Sequence, residues 1–303
     1  MIETGLYLCD VAENQSPEMM AVLVRLLKKH PDVELKCIVS PGFLGEAEVL
    51  PLYELLQGET EGIRIVTADD DIDLGDLDLL IGSPEVISTK LPAGAQTKTI
   101  CYGGNGLLGV CEFNRKAMVR AEHAGVINMP EVATLLGALA LMPLAKNLML
   151  NAGITGTMLL PSLSGEHAGY RVLEKPLSLK QLSEELLQQL QNSFNSVIEV
   201  NAIETSATNF ACAVLNVDFK MPADQALELY KDFYSDHRHV FFPKASVTDS
   251  MVLGTNKTAI SLRNDSYGRL VITTGFDALY KGGAGNIVHI INLLFGLDER
   301  TGL

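Results

Sequence analysis

Short apolar runs alternate with helical periodicity through the first 130 residues, the pattern of an open parallel sheet whose strands are joined by helices. Residues 5–9 (GLYLC) read as the first strand. Ser16, Pro17 and Glu18 then supply an N-cap, a first-turn proline and a first-turn acid. Met20, Leu23, Val24 and Leu27 follow at the i, i+3, i+4, i+7 spacing of a helix that ends near His30 and Pro31. Residues 33–39 form the second strand, with later strands at 76–81 and 97–102, a helix at 114–123 and a strand at 125–127. The acidic run at 69–78 lacks the ligand spacing and closing Glu of an EF-hand and reads as a solvated connection.

The second half has longer strands and fewer crossovers. Residues 210–219 alternate as a half-buried strand, and 258–263 with 269–274 read as a hairpin around Asn264-Asp265-Ser266-Tyr267-Gly268. A largely antiparallel or mixed sheet follows from that. Helices are predicted at 177–194, with Leu179, Leu182, Leu186 and Leu190 on one face, and at 223–234, with Ala226, Leu227 and Tyr230. Another, strongly apolar, closes the chain at 284–295. The apolar run at 132–145 contains Thr134, Gly137 and Pro143 and falls short of the roughly 20 residues a bilayer span needs, so it reads as a buried helix. The fold class is α/β: a Rossmann-like parallel-sheet domain followed by a second α+β domain.

Composition narrows the chemistry. A chain of 303 residues, 47% hydrophobic and 20% charged, has material for two cores. Its formal charge of −14 opposes a nucleic-acid partner. Cys9, Cys37, Cys101, Cys111 and Cys212 are scattered without a CxxC pair, which argues against a disulfide framework or zinc site and for a reducing, cytoplasmic setting. The N-terminus lacks the basic flank and cleavage site of a signal peptide, and no membrane association is expected. His237 and His239 have a spacing that in a strand would put both rings on one face, but no third ligand is identifiable, so no metal is assigned. Gly103-Gly104-Asn105-Gly106 is a turn, because no Lys-Ser/Thr follows to make it a phosphate loop. Between Leu8 and Met20, where a dinucleotide fingerprint would sit, there is no glycine; Asp10, Glu13 and Pro17 stand there instead.

The last 23 residues carry a specific pattern: Lys281, Gly282, Gly285, Asn286, then Asn292 in an apolar helix, then Gly296, Glu299 and Thr301-Gly302-Leu303. With Gly254-Thr255-Asn256, Asp277, Tyr280 and the stretch from Gly109 to Arg115, this resembles the N-acetyl-gamma-glutamyl-phosphate reductase family, of the aspartate-semialdehyde dehydrogenase-like superfamily. The resemblance spans the whole chain and is strongest from Tyr230 onward. It implies a first domain over 1–130 to which 283–303 returns, a second over 131–282, and a homodimer or homotetramer packed through the second domain's sheet.

The family's reaction forms a thioester at a cysteine and then delivers hydride from NADPH to give a semialdehyde. On the segment Asn128-Met129-Pro130-Glu131-Val132-Ala133-Thr134, the cysteine position is Glu131. The family's paired histidines fall on Leu179-Lys180-Gln181-Leu182, leaving Lys180, and its substrate arginine becomes Asn209. Its Ser-Ala-Asp-Phe-Arg segment is deleted between Tyr102 and Leu107. Of the cofactor side, Ser40 is kept but followed by Pro41, and Gly285 and Asn286 remain as vestiges. The resulting expectation is a non-catalytic scaffold, sensor or partner subunit without a cofactor, its partners being further copies of itself or an intact paralogous reductase. Two alternatives stand beside it. One is an active NADP-dependent reductase of arginine biosynthesis with a rearranged site. The other is a repurposed acid/base enzyme using Glu131 with Lys180. Cys111, where the family has proline, is a core cysteine or, failing that, a displaced nucleophile.

Overall fold

The computed structural model describes residues 1–8, 16–40, 50–67, 73–84, 89, 91–92, 94–104, 106–120, 125–162 and 169–303. They form two compact units, Met1–Pro130 with Gly283–Leu303, and Glu131–Gly282.

The first unit is built on seven parallel strands: β1 (Ile2–Tyr7), β2 (Val33–Ser40), β3 (Arg64–Thr67), β4 (Leu79–Gly82), β5 (Lys98–Tyr102), β6 (Leu107–Leu108) and β7 (Val126–Met129), in the order β3-β2-β1-β4-β5-β7-β6. The central strands are apolar on both faces, with Leu6, Leu79, Leu80 and Ile81 fully buried, as a sheet covered on both sides requires. The strand order reverses between β1 and β4. β1 begins three residues before the apolar run that predicts it. Its polar start is held in register by β2, where Lys36 bridges Glu3 (3.1 Å) and Glu34 (2.8 Å), an arrangement invisible to a hydrophobicity reading. The helix Pro17–Lys29 buries Met20, Leu23, Val24 and Leu27, the predicted face.

Residues 283–303 join this unit through buried polar contacts. The helix Gly285–Leu294 packs against Cys111–Arg120 and Pro17–Lys29. Asp32 N–H donates to His30 Nδ1 (3.2 Å), so His30 Nε2 carries the proton and donates to Asn292 Oδ1 (2.9 Å). The Asn292 amide in turn donates to the carbonyls of Glu299 (3.2 Å) and Thr301 (2.9 Å). The Glu299 carboxylate meets Arg115 at 2.5 Å and His289 at 2.9 Å. Gly302 sits at φ +75°, and a Cβ there would lie 2.4 Å from the His30 ring.

The second unit carries a mixed sheet of β8 (Ile154–Pro161), β9 (Tyr170–Val172), β10 (Ile198–Thr205), β11 (Phe210–Lys220), β12 (Val240–Phe241), β13 (Thr258–Asn264) and β14 (Arg269–Asp277), ordered β12-β13-β14-β11-β8-β10-β9. Only β8 with β10 and β12 with β13 pair in parallel. The helix Val132–Lys146 is buried on all sides from Ala133 to Ala145. The helix predicted over 177–194 is shorter: Gln181–Leu187 winds as a π-helix and passes into an α-turn, Gln188–Leu190. Its expected first turn is instead extended, because Leu177 N–H donates to Val200 O in β10 (2.8 Å). Its expected last turn is replaced by Gln191, whose side chain bonds both the amide and the carbonyl of Leu150 (3.1 and 2.9 Å). Among the described residues no helix is long and apolar enough to cross a membrane.

Pro143 lies inside the buried helix and lacks the N–H that would bond the Leu139 carbonyl one turn earlier. Tyr234 fills the deficit, its hydroxyl donating to Leu139 O at 2.6 Å. Tyr230 donates likewise to Ala140 O, whose helical donor is intact, and burial pushes its phenol well above the ordinary value. Tyr234→Phe is therefore expected to cost about 1–3 kcal/mol by orphaning a buried carbonyl, and Tyr230→Phe about 1 kcal/mol or less. Urea unfolding of both variants checks the order.

Candidate functional site

In an open α/β sheet, ligands bind beyond the carboxyl ends of the strands where the strand order reverses, here β1 and β4. A dinucleotide pyrophosphate at that point needs open amides at the following helix N-terminus. In this chain Ser16 caps the helix with its own side chain: Ser16 Oγ accepts from Met19 N–H (3.2 Å), and Ser16 O accepts from Met20 N–H (3.0 Å). Pro17 has no N–H to offer. Glu18 supplies the one remaining first-turn amide among the described residues and adds an exposed carboxylate beside it. Among the described residues, the start of this helix therefore leaves one open first-turn amide. Asp10 and Glu13 lie outside the described residues. Ser40 ends β2, paired through its backbone with Thr67 at the end of β3.

Gly285 and Asn286 open the last helix and are buried. Both ends of the Asn286 amide are engaged: Nδ2 donates to Gly109 O (2.9 Å), and Oδ1 accepts from Cys111 Sγ (3.6 Å). The structure thus brings Asn286 and Cys111 together as a packing contact between the Cys111–Arg120 helix and the closing helix. Cys111 is 1% exposed.

In the second unit, Glu131 is the N-cap residue of Val132–Lys146, extended at φ −60°, ψ 148°, and its carbonyl accepts from Leu135 N–H (2.9 Å). Its side chain is exposed and does not cap the helix. Lys180, also exposed, precedes the Gln181–Leu187 turn. Their two helices pack where Leu182 fills the space over Gly137. His237 packs beside the rings of Phe233 and Tyr234, an aromatic contact. Among the described residues no group of three or more His, Cys, Asp or Glu could hold a metal.

Asp277, noted in the sequence only as part of a motif, organises the turn before Lys281. It accepts from the amides of Gly254 (2.7 Å), Leu279 (2.8 Å) and Tyr280 (3.2 Å). Burial raises its carboxyl above the usual range in spite of these three bonds. Its position at the end of a long strand and before a Lys-Gly turn is the signal that could have marked it.

No protein-family model matches the chain. Among curated proteins it is 30% identical to the N-acetyl-gamma-glutamyl-phosphate reductase of Parabacteroides distasonis and 29% identical to that of Phocaeicola vulgatus, each match covering 93% of both chains. Among solved structures it resembles aspartate semialdehyde dehydrogenase II from Vibrio cholerae, with a TM-score of 0.69 at 13% identity over 97% of this chain and 98% of that one. That likeness is one of fold.

The buried thiols allow a direct test of Cys111 as a nucleophile. Burial pushes the Cys37 thiol up and that of Cys212 up to about 11. A thiol of pKa near 11 is about one-thousandth thiolate at pH 8, and reactivity rises only as pH climbs toward that value. Cys37, Cys101, Cys111 and Cys212 are expected to resist a thiol-specific reagent at pH 8 in the native state and to react on unfolding. Rapid stoichiometric labelling of native Cys111, mapped by mass spectrometry, is the contrary result.

Proposed function

The chain belongs to the N-acetyl-gamma-glutamyl-phosphate reductase family, and we propose that within it the chain is a non-reducing, oligomeric subunit that acts by binding rather than by turnover. The self-capped start of the Pro17–Lys29 helix carries this reading. A reductase of this kind must hold a nicotinamide dinucleotide, and here Ser16, Pro17 and Glu18 withdraw the amides and add a negative charge where phosphate would approach. Glu131 at the head of the buried helix, in place of a thiol, supports it further. Family membership itself favours the alternative, an NADP-dependent acyl-phosphate reductase working through a rearranged site.

Calorimetry with NADPH separates the two. No saturable heat is expected up to millimolar nucleotide, and a micromolar dissociation constant would establish the alternative. Steady-state assays in the oxidative direction, with semialdehyde, NADP and phosphate, are expected to show no turnover for the wild type. They should show none for Glu131→Cys either, since a thiolate alone does not restore groups that act as a unit. Turnover by the mutant alone would locate an intact cofactor site.

The open face of the second unit's sheet supplies a surface for self-association. Opposed residues in the sheet register put Ile203 beside Leu159 and Val172, with Cys212 beside Leu159 and Tyr170 at the free edge. Tyr170 and Val172 are 68% and 69% exposed, an uncovered apolar patch at one end of the face. Light scattering at micromolar concentration is expected to give a dimer or tetramer, shifted toward monomer by Tyr170→Asp. A wild-type mass of one chain would refute the assembly.

A further inference from the structure

The core face of the second unit's sheet contains a polar corner. Thr258 opens β13 and Thr274 lies in β14, and both are fully buried. In the strand register Thr258 stands opposite Phe276 and Thr274 opposite Ile260, which makes the two threonines diagonal neighbours on one face. The same rows continue into β11 as Ala211 and Ala213, whose methyl side chains leave room beside them. Asn256 comes just before β13. It is 5% exposed, Lys257 is exposed and Thr258 is buried again, so the strand period carries Asn256 inward beside Thr258.

Four polar atoms of these three side chains are buried and make no hydrogen bond: Oδ1 and Nδ2 of Asn256, Oγ1 of Thr258 and Oγ1 of Thr274. Among the described residues Asn256 alone has both ends of its side chain in that condition. Turning its amide over exchanges two groups that are equally without a partner, so its orientation does not alter the count. A buried polar group without a partner has lost its hydration and gained nothing in return. Four in one corner would cancel a large share of the stability of a domain, so they must be answered from outside the chain.

We propose that this corner holds ordered internal water, one or two molecules bridging Asn256, Thr258 and Thr274. The set calls for a partner that both donates and accepts: each hydroxyl does both, the amide oxygen only accepts and the amide nitrogen only donates. Water has two donors and two lone pairs, and a buried water needs two to four polar partners, which these side chains supply. None of the three is charged, so a metal cation or an anion would sit here without compensation. An apolar molecule would leave all four atoms unanswered. Diagonal neighbours on a sheet stand about 7–8 Å apart, too far for the two hydroxyls to bond directly and within the reach of a water bridge. The bridge ties the Asn256 loop, which Asp277 already grips through Gly254 N–H (2.7 Å), to the middle of the sheet. This water is internal to the unit and independent of any turnover.

A crystal structure of the full-length wild type at about 2 Å or better is expected to show water density within about 2.6–3.2 Å of at least two of the four atoms. Empty density there overturns the proposal. The variants Thr258→Val and Thr274→Val, which keep the side-chain shape and remove the hydroxyl, give an independent reading by urea unfolding. If water bridges the corner, each variant removes one of its anchors, and the folding equilibrium constant falls by about fivefold or more. If the hydroxyls are simply buried without partners, valine relieves them, and the constant rises. An unchanged or higher constant in both variants therefore overturns the proposal as well. Should the variants fail to fold, the density of the wild type decides alone.

Discussion

The first unit depends on one carboxamide. Asn292 is fully buried, and its side chain joins three parts of the chain: it accepts from His30, at the end of the first helix, and donates to the carbonyls of Glu299 and Thr301 in the final turn. More than 150 residues separate Pro130 from the segment that returns at Gly283. A return across such a gap carries a loop-closure cost that grows slowly with length, so a few well-placed contacts suffice to hold it. The apolar face of the closing helix supplies burial but no register. Asn292, with the Glu299 carboxylate between Arg115 and His289, fixes which turn lies where, because each buried polar atom must find its own partner. The signature Asn, Glu, Thr-Gly-Leu is thus a set of positions in one hydrogen-bonded clasp.

The second unit solves a different problem with similar means. A helix apolar all round, Val132–Lys146, can only be a core element, and Pro143 breaks its ladder where no water can repair it. The repair comes from Tyr234, ninety-five residues away in sequence, and Tyr230 beside it adds a second bond to the same helix. The two phenols therefore do more than fill volume: they dictate the rotation of the 223–233 helix against the buried one. Gly137 permits the approach from the opposite partner, where Leu182 takes the space a side chain would occupy.

Much of this was legible in the chain. Alternation and helical spacing place β1, β2, β4, β5, β7, β11, β13 and β14 and most of the helices, but not β3, β6, β8, β9, β10 or β12, and the Ser16-Pro17-Glu18 start of the first helix is found where its cap chemistry predicts. The hairpin at 258–277 follows from its turn residues. Illegible were the elements whose reason is tertiary. β1 starts at Ile2 and runs through Glu3 and Thr4 because β2 answers them, and the helix at 181–190 is trimmed at both ends by backbone and amide bonds to β10 and Leu150. The site was legible only as substitutions. Glu131 and Lys180 could be located by their neighbours in sequence, but that Glu131 would stand exposed without capping its helix, and that Asn286 would spend both ends of its amide on Gly109 and Cys111, are facts of packing.

Charge distribution links these observations to what the molecule can bind. At the first helix the chain puts the exposed Glu18 carboxylate beside the last open amide, where it meets the positive end of the helix dipole itself. On the open sheet face it segregates apolar residues to one end of the strands and uncommitted polar ones, with a single carboxylate, to the other. Since the side-chain period of a strand is two, such segregation requires every second residue to change character, which happens at Thr157 and Asn201 in β8 and β10 and one row later, at Asn216, in β11. Packing of the core constrains the opposite face, where Val200, Ala202, Ala213, Leu215 and Val217 are buried, and the β13–β14 end of this one, where Val271 and Ala259 are buried. The freedom that core packing leaves on this face is therefore confined to the rows of β8, β10 and β9, where Thr155, Thr157, Glu199, Asn201, Tyr170 and Val172 are exposed.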